Sequence, residues 1–565
     1  MAVTAGVGTR ADQATRAFHD AATRGDWAAV DARWGSGIVP MVREDAALLL
    51  RTLEALPAEV AAARPSMVVV RETLPVWASD SDADGYRATM RAYAESCVRV
   101  GGPEWESLPL GEFLVVATGC LVHLRLGGRL LDSAAVGARV DAALATQAPP
   151  GRALDGRTAW FHLQRAVTST LLLDDAIAIR AYQQTWERGT GAGVDVVRSH
   201  AAGNLALTFA LDGDEPRALR WCERSRSIDV RGWPGLRAAD AGVHLAAGFL
   251  ALDHLDDAAA RRALDRLSDG AEPVELWPFA AFLTAREALG AGRATEGLIE
   301  LERSLRVHDA DRGGGSAAAV LSQRATADLL LACGRGDQAA AVIGRGPGGG
   351  AWMRVPAARL RILGPEGAGP DGTAGAGSDA WAADTPGSDR VELLLLGAVE
   401  ALGRGAHSGA ARLMDQALDR YERSGLLRPF ATLAPGDLGE LLALTGRRLA
   451  RHDAARLASR PPVYPARLVW IGLSRSEQAV LEALSGTRSR QAMATSLFVS
   501  VNTVKSQLAS VYRKLGCTNR SDALRLASRH GLLPGPGPLL DGPTPGPLPD
   551  RPTPGAPGSA PAGRR

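Results

Sequence analysis

The sequence predicts an all-α protein with two parts, a long array of helix pairs and a compact module of four helices near the carboxyl end. Its 565 residues suffice for several domains or one repeat array. From about residue 10 to 450 apolar residues recur at helical spacing, and no segment alternates as a half-buried strand does. Residues 473–533 hold nine basic and three acidic side chains, whereas the whole chain has a formal charge of only +2. This uneven charge predicts that the module meets a polyanion.

The array at residues 1–450 is predicted from a recurring helix end. An Ala-Leu or Ala-Cys pair followed by a short turn begins at residues 210, 251, 288, 332 and 401. The first three intervals of 41, 37 and 44 residues fit a two-helix unit of about 40 residues, the size of tetratricopeptide-like (TPR-like) or HEAT-like repeats. A single helix pair cannot bury its apolar stripe, so successive pairs stack. We therefore expect a degenerate TPR-like solenoid with an extended concave surface.

Glycine and proline divide the rest of the chain. A Gly-rich insertion at about 346–389 stretches the last repeat interval to 69 residues. Residues 451–468 contain the proline-bearing sequence SRPPVYPARL and are expected to be a linker. The module itself occupies 469–533. Residues 534–565 are rich in Pro and Gly and lack apolar periodicity, so they are expected to be a disordered tail.

Each helix of the module has a start signal. Ser474 and Glu477 have the spacing of a capping box, Ser489 and Ser500 can cap the second and third helices, and Asn519 can cap the fourth. The expected inward residues of the second helix are Ala492, Met493 and Leu497. Those of the third helix, which Gly516 ends, are Val501, Val504, Leu508, Val511 and Leu515.

Two short helices joined by a brief turn, the second polar and basic on its outer face, form the helix-turn-helix arrangement that places the second helix in the DNA major groove. Cationic side chains and helix N-terminal amides suit phosphate contacts, whereas Asn502, Thr503 and Ser506 can reach base edges. The residues expected to bind DNA are Arg490, Ser500, Asn502, Thr503, Lys505, Ser506, Ser510, Arg513 and Lys514.

The segments LSRSEQAVL, LFVSVNTVKSQL and YRKLG, followed by Asn519-Arg520 and GLL, resemble the DNA-binding domain of LuxR-type transcriptional regulators. The family motif falls on Glu477, on Thr503, Val504 and Lys505, and on Lys514, Leu515 and Gly516. Two positions depart from the family. Ala492 replaces a common glutamate of helix two and so weakens a helix-packing ion pair, and Val501 replaces a polar or acidic residue, which leaves the preferred operator open.

This resemblance implies double-stranded DNA as the partner and a homodimer on a two-fold-related site, with RNA polymerase as a further candidate contact. The body, through RGDWAAVDARWGSG and residues 50–72, is similar to the helical repeats of maltose-regulator-like LuxR activators. The repeats would then receive a small-molecule or protein effector. Those activators carry an ATPase ahead of the repeats. The only two lysines, Lys505 and Lys514, follow Val504 and Arg513, so no Gly-Lys-Ser/Thr phosphate loop is present.

The sequence therefore predicts a non-enzymatic regulator with no cofactor and no metal site, since HExxH, CxxC and GxSxG motifs are absent. It contains neither a run of eighteen apolar residues nor a signal-like start, so we expect a cytoplasmic protein that does not contact a membrane. Two rivals stay open: an interaction scaffold with a nonspecific nucleic-acid tether, and a phosphorylation-dependent response regulator, which needs a receiver lysine. An enzymatic body is the weakest alternative.

Overall fold

The structure is a computed structural model, and it describes residues 14–36, 38–78, 83–102, 105–147, 154–190, 194–230, 236–268, 275–308, 315–344, 350–365, 385, 387–468, 470–486, 489–529 and 532–533. Across these ranges the chain is helical and contains no β-strand, as the sequence predicts. The predicted disordered tail at 534–565 lies outside the described residues. Within the described ranges, no helix combines the length and apolarity needed to cross a bilayer.

The body begins with short helices and continues as helix pairs. The first eight helices are α1 (Ala14–Thr23), α2 (Trp27–Ser36), α3 (Ile38–Glu54), α4 (Ala58–Ala62), α5 (Pro65–Ala78), α6 (Ala83–Gly101), α7 (Leu110–Leu126) and α8 (Leu130–Gln147). The next ten are α9 (Asp155–Leu171), α10 (Asp175–Gly189), α11 (Asp195–Leu211), α12 (Glu215–Arg226), α13 (Leu236–Asp253), α14 (Asp257–Ser268), α15 (Trp277–Gly290), α16 (Ala294–Val307), α17 (Ala317–Ala332) and α18 (Gly336–Gly344). The body ends with α19 (Arg354–Leu363), α20 (Gly387–Gly403), α21 (His407–Ser424), α22 (Arg428–Ala431), α23 (Pro435–Thr445) and α24 (Arg451–Ala458).

From α7 to α18 the helices form antiparallel pairs that stack in order. The first helix of each pair contacts its own partner and also the first helix of the next pair, so that α9, α11, α13, α15 and α17 pack side by side. The five predicted helix ends fall at the ends of α11, α13, α15, α17 and α20. The turn inside each of these pairs contains one residue of positive φ, which is Gly213, Leu255, Gly292, Gly334 and Gly405 respectively. Glycine adopts this conformation without steric cost, which is why it marks four of these five turns.

Helices far apart in sequence also meet. Helix α9 contacts α17, and α13 contacts both α6 and α22. A buried ion pair also joins distant parts of the body: the Arg125 guanidinium on α7 lies 2.6 Å from the Glu275 carboxylate, 150 residues away. The helix pairs are therefore packed against distant pairs as well as against their neighbours in the chain.

A buried ionic cluster joins the second half of the body. Its members, on α13, α15, α17, α19, α20 and α22, have side chains at most 14% exposed, and they are Arg286, Arg324, Arg359, Arg428, Asp253, Asp328, Asp389 and Glu392. Four cations balance four carboxylates, with Arg324 lying 2.6 Å from Asp389 and Arg359 lying 2.6 Å from Glu392. Buried charges require such pairing because desolvation of a lone ion is costly. The cluster thus fixes how these helices stack.

The predicted insertion and linker both contribute packed structure. Within 346–389, helix α19 buries Val355 and Leu360, while residues 346–349, 366–384 and 386 lie outside the described residues. The predicted linker at 451–468 begins with helix α24, whose Asp453 carboxylate accepts a hydrogen bond of 2.5 Å from the Tyr421 hydroxyl.

Residues 459–468, named here the strap, lie along the array. Arg460 donates to the Asp257 carboxylate at 2.8 Å and to the Gly290 carbonyl at 3.1 Å. The Tyr464 ring stacks on the Arg359 guanidinium, whose carbon is 3.9 Å from the ring centre. The Leu468 amide donates to the carbonyl of Leu363 at 3.0 Å. The strap is therefore held at several successive points, and a proline-rich composition alone does not indicate this.

Candidate nucleic-acid interface

Four helices form the carboxyl-terminal module: α25 (Arg475–Gly486), α26 (Arg490–Ser496), α27 (Val501–Leu515) and α28 (Arg520–Arg529). The predicted caps are confirmed. Ser489 accepts from the Ala492 amide, Ser500 accepts from the Thr503 amide at 3.0 Å, and Asn519 accepts from the Asp522 amide. Gly516 ends α27 in the left-handed conformation, with φ of 67°. These local signals therefore determine where the module's last three helices begin and where α27 ends.

The predicted buried stripe of α27 is present. Val504, Leu508, Val511 and Leu515 are buried and Val501 is partly buried, in one core with α25, α26 and α28. In α26 the prediction is wrong at one position: Ala492 is exposed, and Ala494 is buried beside Met493. A helix of seven residues makes barely two turns, so its apolar spacing defines the inward face poorly.

Glu477 joins the first and third helices of the module. Its carboxylate accepts three hydrogen bonds of 2.6 Å, from the Lys514 ammonium, the Ser510 hydroxyl and the Ser474 amide. The Glu477 amide donates back to the Ser474 hydroxyl at 3.3 Å, which completes the predicted capping box. These hydrogen bonds, the one from Lys514 being the largest influence, lower the pKa of Glu477 to about 2.

Ser510 and Lys514 are thus engaged inside the module, although the sequence groups them with the expected DNA contacts. Lys514 also donates to the Gly472 carbonyl at 2.7 Å. Its side chain is 34% exposed and that of Glu477 only 7%. This geometry favours a positioning role for both residues, because their polar atoms already hold α27 against α25.

The other expected contact residues are all exposed, on α26, on α27 and in the turn between them. They are Arg490, Ser500, Asn502, Thr503, Lys505, Ser506 and Arg513. Among the described residues, the side chains of Arg490, Asn502 and Lys505 have no hydrogen-bond partner, and Arg513 reaches only Ser510 at 3.3 Å. Since no acidic residue occurs from 500 to 520, the surface is electropositive. The amino end of α27 adds unsatisfied amides, which favour anions.

Sequence reasoning missed three features of this module. Phe498 in the turn before α27 is 95% exposed and has φ of 56°, an uncommon conformation for an aromatic residue. Arg520 donates to the Leu484 carbonyl at 2.8 Å and Gln478 to the Leu532 carbonyl at 2.6 Å, which ties the fourth helix and the chain after it to the first. Phe498 lies in the short apolar segment Leu497-Phe498-Val499 between the predicted helices, and its place in the turn is the one signal that could have indicated exposure. The two carbonyl contacts depend on tertiary packing.

This arrangement of a short helix, a tight turn, and a longer helix with a buried apolar stripe and a polar basic outer face defines a helix-turn-helix DNA-binding module. Residues 472–527 match the family described as bacterial regulatory proteins, luxR family. The module is therefore a LuxR-family helix-turn-helix domain, in agreement with the resemblance of its motifs.

One curated relative also shares a short stretch of sequence with this chain. The transcriptional regulatory protein YdfI of Bacillus subtilis (strain 168) is 41% identical over 61 residues. The match covers 11% of this chain and 29% of the length of that protein. The similarity therefore concerns only a small part of the chain, and the family match leaves the helical body outside its range.

Proposed function

We propose that this protein is a sequence-specific, DNA-binding transcriptional regulator. The observation that carries the proposal is the outer face of α27, which presents Asn502, Thr503 and Lys505 to solvent within a LuxR-family domain. An α-helix fits the major groove, where each base pair presents a distinct pattern of donors and acceptors. The polar side chains of this face are long enough to reach that pattern once the helix lies in the groove.

Phosphate and base contacts fall to different residues in this proposal. Lys505 and Arg513 are exposed cations on α27 and Arg490 is an exposed cation at the start of α26, and all three would pair with phosphates. The Asn502 amide has no hydrogen-bond partner among the described residues and can bind a base edge in a bidentate manner. The Thr503 and Ser500 hydroxyls are hydrogen-bonded to each other at 2.8 Å, and this bond orients the Thr503 side chain. Phosphate contacts give affinity, and base contacts give sequence preference.

The body would act as the sensor or docking part. The strap connects it to the module through fixed contacts, and the Ile471 amide, in the core of the module, donates to the Asp337 carboxylate on α18 at 2.9 Å. An effector that alters the stacking of the pairs would thereby change how the module is presented to DNA. A homodimer on a two-fold-related operator and a contact with RNA polymerase belong to the same proposal, as does the absence of catalysis in the body.

The proposal is tested by selecting genomic DNA fragments on the full-length chain and sequencing the fragments retained. A selected site should stay bound in competition with random duplex, with a preference of roughly a thousandfold or more. Asn502→Ala should change the selected sequence. Arg220→Ala, which alters an exposed arginine on α12 of the body, should not.

The second candidate, an interaction scaffold with a nonspecific nucleic-acid tether, is favoured by the electropositive surface alone. A positively charged face binds any duplex through released counterions. This function predicts that random duplex competes as well as any selected fragment, and that Asn502→Ala has no effect on the sequences retained. That result would overturn the proposed sequence-specific function.

A further inference from the structure

A cavity of about 460 Å³ lies in the body, between helices α8, α9 and α10. This volume falls in the range of about 300–1,000 Å³ that small-molecule sites occupy. Much of the wall is apolar and includes Leu144, Leu154 and Ile177. The size and the apolar wall together fit an organic molecule better than a simple ion.

The polar part of the wall carries an excess of positive charge. Three arginines line the cavity with two aspartates, Asp141 and Asp155. Arg165 pairs with Asp141 at 2.5 Å and Arg188 pairs with Asp155 at 3.1 Å. Arg180 has no ion pair or hydrogen bond among the described residues; it interacts with Asp141 only through longer-range electrostatics, so its guanidinium can still bind an anion. Arginine is well suited to this task, since its planar group binds a carboxylate with two parallel hydrogen bonds.

His162 gives an independent indication of a ligand. It lines the cavity and is only 6% exposed, yet its Nδ1 has no hydrogen-bond partner among the described residues. Burial, aided by Arg188 and Arg165, lowers the pKa of His162 to about 4, so the ring is neutral near pH 7. Buried polar groups are almost always paired, and a bound molecule in the cavity is one way to supply the partner that this nitrogen lacks.

We propose that this cavity binds a small organic carboxylate with an apolar body, whose carboxylate pairs with Arg180 and whose apolar part lies against Leu144, Leu154 and Ile177. A compact phosphate would leave the apolar wall without a partner. The ligand would bridge α8 to α10 and so bias how neighbouring helix pairs stack. Its role as the effector of the regulator rests on the proposed function, whereas its binding does not.

Calorimetric titration of the full-length chain tests the binding. The probes are straight-chain acids from butanoate to decanoate and phenylacetate, each compared with its neutral amide. We expect at least one acid to bind and its amide to bind at least tenfold more weakly. The Arg180→Gln variant should bind the same acid with an affinity at least tenfold lower than that of the parent chain. Arg220→Gln is the matched control, since Arg220 is exposed on α12 and lies outside the cavity, and it should bind as the parent chain does.

The proposal is overturned if no acid binds, if the amides bind equally well, or if Arg180→Gln binds like the parent. Arg180 is exposed, so its replacement should leave the thermal unfolding midpoint unchanged, and this measurement excludes loss of folding. Operator affinity measured with and without the acid then tests the effector role. Acid binding without a change in operator affinity removes that role, and absence of any operator preference removes the proposed function while the calorimetric result stands.

Discussion

The Lys514 ammonium nitrogen lies 2.6 Å from the Glu477 carboxylate and joins the end of α27 to the start of α25, the first helix of the module. Glu477 is buried and Lys514 is about one-third exposed. One of the chain's two lysines thus holds α27 against α25, and the other, Lys505, is exposed on the outer face of α27.

Lys514→Met should destabilise the module by roughly 1–3 kcal/mol, because it leaves the Glu477 carboxylate buried with only neutral partners. Hydrogen exchange of the α25 and α27 amides in the full chain measures this local stability. Lys505→Met is the matched control and should change it by less than about 0.5 kcal/mol. Equal effects of the two substitutions would contradict the structural role given to Lys514.

The module should lose stability in acid as Glu477 takes up a proton. Its pKa is about 2 in the folded chain, below the ordinary value of 4.5, so the stabilisation is fully present above pH 4.5 and declines as the pH falls from 4.5 towards 2. Exchange rates of the module's amides, corrected for their intrinsic pH dependence, report this change. In Glu477→Gln the decline over that interval should be smaller, and an unchanged decline would mean that other carboxylates control it.

Lys505→Ala should weaken binding to selected and random duplexes alike, and should reduce the slope of log affinity against log salt by about one. Thr503→Val, in contrast, should alter sequence preference and leave that slope unchanged. Both follow from the positions of these side chains on the exposed face of α27. Fluorescence anisotropy over a range of salt concentrations measures affinity and slope together, and an unaltered slope in Lys505→Ala would rule out a phosphate contact.

Arg324→Met should lower the free energy of unfolding of the body by about 3–5 kcal/mol, because it leaves Asp328 and Asp389 buried without their closest cation. Urea denaturation followed by helical circular dichroism measures the loss. The control is Arg129→Met, since Arg129 pairs with Asp132 at the surface and both side chains are more than half exposed. Arg129→Met should change the free energy of unfolding by less than about 1 kcal/mol.

Tyr464→Ala should loosen the strap, because it removes the ring that stacks on Arg359. The Leu468 amide, which donates a hydrogen bond to the Leu363 carbonyl, should then exchange faster with solvent. Arg467→Ala changes an exposed residue of the same segment and serves as the control, which should leave that exchange rate unchanged. If the Leu468 amide exchanges at the same rate in Tyr464→Ala and in the parent, the strap is not held by this contact.

Local structure could be predicted from the sequence, whereas distant contacts could not. The caps at Ser489 and Ser500 depend on a side chain and an amide three residues apart, so composition and spacing suffice to identify them. The helix ends of the array follow from short turn sequences in the same way. Arg324 and Asp389, in contrast, are 65 residues apart and have no pattern that marks them as partners. Their pairing arises only when α17 and α20 pack.

The sequence indicates which residues of α27 face outward, but it does not indicate which of them are already engaged inside the module. The outer face of α27 follows from helical spacing, and Asn502, Thr503, Lys505, Ser506 and Arg513 are exposed as expected, whereas Ser510 is only partly exposed. Whether a cation faces solvent or a buried carboxylate depends on the neighbouring helix, and Lys514 faces Glu477 on α25. The cavity at Arg180 involves helices whose apolar residues resemble ordinary core residues, and nothing in their spacing indicates a void.

The route of the strap has a mechanical consequence. It contacts Gly290 on α15 and then Arg359 and Leu363 on α19, so it links two separate helices of the body. If α15 and α19 moved relative to each other, the distance between these contacts would change, and the strap would have to shift or detach. Such a movement in the body would then be passed along the chain to the carboxyl-terminal module.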